Sequence, residues 1–269
     1  MPYNRTFSFI GGQLMKQETS FTPDKIIWSA DVATEDIIAV MKAKALPEGT
    51  IIKLDRLFFE TEGKSFISTC QNYGYPVFCD AKIIEIPVKA LKIAECYLKY
   101  KPFMLNFMAG ACSTGRWSSE DMNEVDALKR FADMCKAEGT RSCVVTVLTS
   151  KTDQLCMTEF GRNSSDQVIK YTELAHNAGI TDIVCSPKEA TMIRAHGKYN
   201  DMMVNTPGVR LPDSSKDDQA RIATPHRALR HGASDRLVIG RDLTRGDGKI
   251  VDRVKRNYEK ILDNIMNGE

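Results

Sequence analysis

The sequence predicts a closed barrel of eight parallel strands, each followed by a helix, the (β/α)8 or TIM-barrel class. Three observations carry that prediction. Short apolar runs alternate with amphipathic stretches along almost the whole chain, and eight such pairs can be counted. A chain of 269 residues with 42% hydrophobic and 27% charged side chains suits one α/β unit of barrel size. No Gly-x-Gly-x-x-Gly opens the first crossover, which argues against an open doubly wound sheet.

Residues 1–25 precede the first apolar run and show little pattern beyond Gly11-Gly12; they are expected to form an N-terminal extension or a cover over the barrel bottom. Residues 26–269 are then a single barrel domain. Its first strand is 26–31 (Ile-Ile-Trp-Ser-Ala-Asp) with an amphipathic stretch at 34–45, its second 50–55 with 64–73, and its third 76–82 with 87–99. Strand four is expected at 102–108 before the helix 118–138, strand five at 142–149 before 166–178, and strand six at 182–186 before 187–196. Strands seven and eight, 202–206 and 236–240, precede helices at 224–231 and 249–266. Residues 209–221 form a polar loop after strand seven, and a connection of that length usually serves a function.

Composition excludes several partners. Lys+Arg 37 against Asp+Glu 35 gives a net charge of +2, with no overall basic field for nucleic acid or an anionic membrane. No run reaches the roughly 18 apolar residues of a membrane span, and the polar N-terminus lacks the profile of a secretory signal, so a cytoplasmic location is expected. The eight cysteines include no C-x-x-C pair and several lie inside apolar runs, where they read as small buried hydrophobes. Four histidines show no metal-ligand spacing, so no zinc site is expected.

Barrels of this kind place reactive groups at the C-terminal ends of their strands. Here those ends are charged: Asp31 closes strand one, Lys53 and Asp55 strand two, Asp80 and Lys82 strand three, and Thr149-Ser150 strand five. Asp80 and Lys82 are two residues apart, which on a strand directs both to one side, and Glu85 follows where the chain leaves the strand. A lysine set among acids is a poised proton donor. The loops after strands seven and eight carry Gln219, Arg221, Gly240 and Arg241. Glycine admits backbone N–H groups to an anion and arginine grips it with a fork of donors, so a phosphorylated substrate is expected there.

Several motifs resemble those of the orotidine 5'-monophosphate decarboxylase family, from about Ile26 to the last helix. Asp80-Ala-Lys82-Ile-Ile-Glu85-Ile-Pro87 is similar to the family's D-x-K-x-x-D-I-P, and Val145-Thr-Val-Leu-Thr-Ser150 to its V-T-V-L-T-S. Ile183-Val-Cys-Ser186, Thr206-Pro-Gly-Val-Arg210, Asp218-Gln219-Ala-Arg221 and Val238-Ile-Gly-Arg241-Asp-Leu-Thr244 follow in family order. The resemblance implies that Asp31 binds ribose hydroxyls and that Lys53, Asp80 and Lys82 open an alternating lysine and acid network. It implies that Glu85 completes that network from the partner subunit of a homodimer. It further implies that Ser150 addresses the pyrimidine, that Gln219, Gly240 and Arg241 hold the 5'-phosphate, and that Pro207 lies among the substrate-binding positions. The implied reaction is decarboxylation of orotidine 5'-monophosphate (OMP) to UMP in pyrimidine biosynthesis, with no metal or organic cofactor and Lys82 protonating C6.

Four positions depart from the family pattern: Glu85 stands for aspartate, Asp55 for glycine, Lys89 for threonine and Met108 for histidine. Asp55 shares the parity of Lys53 and should face the interior, and a pair between Asp55 and Lys89 would preserve local charge. Two other readings remain open: a diverged member acting on another pyrimidine nucleotide or a sugar phosphate, the latter with magnesium, and a non-catalytic nucleotide-binding homologue.

Overall fold

The computed structural model describes residues 7–10, 13–16, 21–110, 124–212, 214, 223–231 and 234–268. Eight parallel strands form the closed barrel: β1 (Ile26–Ser29), β2 (Ile51–Asp55), β3 (Val77–Ile83), β4 (Met104–Met108), β5 (Arg141–Val145), β6 (Asp182–Val184), β7 (Met203–Thr206) and β8 (Arg236–Ile239). β8 pairs with both β7 and β1, which closes the ring. The predicted fold class is therefore the observed one. Before it, Phe7–Ile10 and Gln13–Lys16 pair as a small antiparallel ribbon, followed by a single turn at Pro23–Lys25.

Ten α-helices are described: α1 (Thr34–Lys42), α2 (Arg56–Thr61), α3 (Phe66–Asn72), α4 (Pro87–Leu98), α5 (Glu124–Ala137), α6 (Asp153–Phe160), α7 (Ser164–Asn177), α8 (Pro187–Ala195), α9 (Arg241–Thr244) and α10 (Ile250–Asn267). Alternation along each strand divides the core in two. Outward residues such as Ile26, Trp28 and Cys79 pack beneath the helices, while Ile27, Ile51, Phe78, Met104, Cys143 and Val238 fill the barrel interior. Along α10 the buried residues Ile250, Val254, Tyr258, Ile261 and Ile265 recur at helical spacing and hold that helix on the ring beside α1. Each such side chain contributes about 1.5–3 kcal/mol when fully buried.

Several expected boundaries are corrected. Strand five ends at Val145 rather than at 149, so Thr149 and Ser150 lie in the loop before α6. The short helices α2, α6 and α9 were not expected, because each has eight residues or fewer and follows its strand too closely to show a full amphipathic repeat. The helix expected at 224–231 is present over 225–231, and it widens to π-helical geometry at Arg227–His231. Residues 118–123 of the expected fourth helix lie outside the described residues. Of the seven described cysteines, six are buried and only Cys96 is exposed, and none is in a disulfide.

Candidate active site

The C-terminal ends of the strands surround a cavity of about 270 Å³. Lys53, Asp80 and Lys82 line it together with Asp31, Pro207, Gly240 and Arg241. The two halves of the predicted site, the charged strand ends and the anion-binding loops, therefore open into one space.

Asp80 is the centre of the charged half. Its Oδ2 accepts from Lys53 Nζ at 2.9 Å and from Lys82 Nζ at 2.6 Å. Its Oδ1 accepts from Asn106 Nδ2 at 2.7 Å, so both carboxylate oxygens are satisfied in a buried position. Burial by itself would push the Asp80 carboxyl up, but the fields of Lys53 and Lys82 and their hydrogen bonds hold it well below the ordinary carboxylate value. Lys53 is the reciprocal case: burial pulls its ammonium down, and Asp80, Asp31 and Asp55 together raise it above the ordinary lysine value. Side-chain exposure separates the two lysines, 11% for Lys53 and 41% for Lys82, so Lys82 is the ammonium that reaches the open part of the cavity.

The backbone that presents Lys82 is unusual. β3 shifts register against β4 between Cys79 and Ile83, and Lys82 has φ 42°, the left-handed region that costs a non-glycine residue about 1–3 kcal/mol. Asn106 offsets that cost, accepting the Lys82 N–H at 2.7 Å with the same side chain that donates to Asp80. Asn106 was not singled out in the sequence; an amide inside the apolar run of strand four, inward by parity, is the signal that could have found it.

At the other end, Ser29 Oγ donates to Asp31 Oδ2 at 2.9 Å, and Gly240 packs against both residues. A Cβ on Gly240 would stand 3.3 Å from Ser29 Cβ and 3.8 Å from Asp31 Oδ2, so the close approach of the β1 and β8 ends depends on the missing side chain. Arg210 is a second residue that sequence reasoning did not assign, although it closes the quoted Thr206-Pro-Gly-Val-Arg210 motif. It is buried, lines the cavity and donates from Nη1 to the Val209 carbonyl at 3.0 Å, while its Nε has no hydrogen-bond partner among the described residues. Arg241 lines the same cavity, so two guanidinium groups border it.

Other expected residues are placed differently. Ser150 is exposed and is not among the cavity-lining residues; its neighbour Thr149 is. Glu85 is exposed beyond the end of β3, its Oε1 accepting from the Ile86 N–H at 3.0 Å, and does not line the cavity of its own chain. Gln219 and Arg221 lie outside the described residues. Asp55 does not pair with Lys89 among the described residues; it caps α2, its Oδ1 accepting from the Phe58 N–H at 2.8 Å, while Lys89 is exposed on α4. Met108 borders a neighbouring cavity of about 180 Å³, with Ile84 and Tyr171, that shares Val147 and Leu148 with the first. Among the described residues no group of three or more His, Cys, Asp or Glu side chains could hold a metal ion.

Fold and site together define a (β/α)8 barrel whose lysine–aspartate–lysine cluster opens into the same cavity as Arg210 and Arg241. A family model described as the orotidine 5'-phosphate decarboxylase / HUMPS family matches residues 24–252, and the chain belongs to that family. Curated relatives include "Orotidine 5'-phosphate decarboxylase" of Actinobacillus pleuropneumoniae, 32% identical over 224 residues (82% of this chain, 92% of that protein). Its counterpart in Dictyoglomus thermophilum is 28% identical over 251 residues, 90% and 98% of the two chains. Among solved structures, orotidine 5'-phosphate decarboxylase from Lactobacillus acidophilus superposes with a TM-score of 0.69 at 22% identity, covering 89% of this chain and 98% of that one. An uncharacterized conserved protein from Geobacillus kaustophilus gives 0.68 at 22% identity, covering 89% and 99%.

Proposed function

We propose that this chain is a carbon–carbon lyase that decarboxylates OMP to UMP in pyrimidine biosynthesis. The observation that carries the reading is the convergence of Lys53, Asp80 and Lys82 with Arg210, Gly240 and Arg241 on one cavity. Breaking the bond from C6 to the carboxylate leaves an electron pair on C6 with no ordinary sink, so the barrier has to be lowered by charge arranged beforehand. A unit charge at ~4 Å is worth about 4 kcal/mol at an effective dielectric of ~20. Lys82, the less buried of the two lysines, supplies that charge as carbon dioxide departs and then transfers its proton to C6. Asp80 and Lys53 hold the ammonium in place. Asp31 binds the ribose hydroxyls, while Gly240, Arg241 and Arg210, with Gln219 from the same loop, grip the phosphate, and Pro207 borders the pocket. Thr149, which lines the cavity next to Ser150, faces the base.

The fourth member of the network, Glu85, comes in this reading from the partner of a homodimer. Its exposure supports that, as does the apolar surface around it: Leu57, Ile84, Ile86, Val88 and Ile93 are large side chains exposed on α2, α4 and the segment before α4. The nucleotide is the only ligand the mechanism uses, and no metal or cofactor takes part. A cytoplasmic enzyme fits this role; among the described residues no helix is long and apolar enough to cross a membrane.

The test is loss of OMP absorbance in the ultraviolet with purified, chelator-treated protein. Turnover under those conditions is expected. Turnover of a sugar phosphate that a chelator abolishes would favour the magnesium-dependent alternative, and tight binding of a 6-substituted UMP without turnover would favour a binding protein.

A further inference from the structure

We propose that Asp242 is a positioning residue for the anion end of the cavity, fixing the distance between the two loops that carry Arg210 and Arg241. The inference rests on the reading of that end as a phosphate site. Asp242 follows Arg241 in α9 and is only 3% exposed. Its Oδ2 accepts two hydrogen bonds from the loop after β7, the Leu211 N–H at 2.6 Å and the Ser214 hydroxyl at 2.7 Å. Leu211 follows Arg210, so one carboxylate ties together the residues next to the two arginines.

Both sides of this tie are anchored. Asn257 on α10 donates from Nδ2 to the carbonyls of Leu243 at 3.1 Å and Arg245 at 2.9 Å, which holds α9. The root of the opposing loop is closed by a bridge between Val209 and Ala223: Arg210 N–H donates to Ala223 O at 2.9 Å, and Ala223 N–H to Gly208 O at 3.2 Å. Two guanidinium groups lining one cavity repel each other. A buried acceptor joining their backbones opposes that separation and keeps both forks aimed at a single phosphate. Asp242 does not line the cavity, so it acts through Arg210 and Arg241.

The experiment compares the full-length wild type, Asp242→Asn and Asp242→Ala for binding of UMP, uridine and inorganic phosphate by calorimetry, and for OMP kinetics. Asp242→Ala is expected to raise KM and weaken UMP binding about tenfold or more, with kcat at saturation within about twofold and uridine affinity unchanged. Asp242→Asn, which retains an acceptor, falls between. A UMP-to-uridine affinity ratio that Asp242→Ala and Asp242→Asn leave at the wild-type value overturns the proposal, as does a kcat loss at unchanged KM. Should Asp242→Ala fail to fold, the Asn variant supplies the same ratio. A wild type that binds UMP and phosphate yet leaves OMP unreacted would sink the decarboxylase reading while the binding ratio still decides this one. A wild type that binds neither sinks both.

Discussion

Lys82 sits in left-handed backbone with its ammonium 2.6 Å from Asp80, and a side chain held at such cost is the first target for substitution. Lys82→Ala is expected to abolish OMP turnover while UMP binding stays measurable by calorimetry, because the anion end is left intact. Asn106→Ala would strip Asp80 Oδ1 and the Lys82 N–H of their shared partner; an unsatisfied buried polar group costs about 1–3 kcal/mol, so kcat should fall about tenfold to a hundredfold with a smaller change in KM. Steady-state kinetics checks both. The cluster also sets a pH window. Asp80 lies below its ordinary 3.8, so its contribution to stability is complete above that value and is lost as pH falls through the depressed folded value. Lys53 lies above its ordinary 10.5, so its share is complete below 10.5 and is lost as pH rises through the elevated folded value. The gap in Tm between wild type and Asp80→Asn should therefore be constant from about pH 5 to about pH 9 and narrow outside both limits. Thermal denaturation across that range is the measurement.

At the scale of elements, the site depends on how strands end. β8 stops at Ile239 so that Gly240 can lie against Ser29 and Asp31, and α9 starts at once behind it. Gly240→Ala inserts a methyl 3.3 Å from Ser29 Cβ, tighter than ordinary contact, and is expected to raise KM for OMP a few-fold to about tenfold with little effect on kcat. An unchanged KM would place the phosphate elsewhere. The register shift in β3 is the corresponding device on the other side, turning Lys82 toward the cavity just before the chain leaves for α4.

The whole molecule raises the question of assembly, since Glu85 does not line the cavity of its own chain. Mixing Lys82→Ala with Glu85→Ala chains, each inactive alone, should restore about a quarter of wild-type turnover, because half of randomly paired dimers are mixed and each holds one intact site. No recovery after verified exchange of subunits would confine Glu85 to its own chain or remove it from the reaction. Charging the exposed apolar surface, as in Ile86→Glu with Val88→Glu, should lower both the sedimentation coefficient and turnover.

The sequence alone determined the barrel, since eight alternating apolar and amphipathic stretches have few other ways to bury themselves. It also placed Asp80 and Lys82 on one side by strand parity, although the bulged, left-handed backbone at Lys82 is what brings both to the cavity, and it marked Gly240 and Arg241 through a motif. What tertiary structure decided was which side chains complete those fragments. Asn106 reaches Asp80 from 26 positions away, Arg210 turns a motif arginine into a cavity wall, and Asp242 binds a loop 31 positions earlier. Local pattern was silent on Asp55 as well, which caps α2 instead of pairing with Lys89, since a helix begins directly behind it and offers a nearer donor. Hydrogen bonds across strands are fixed by the closure of the ring, and closure is a property of all eight strands at once.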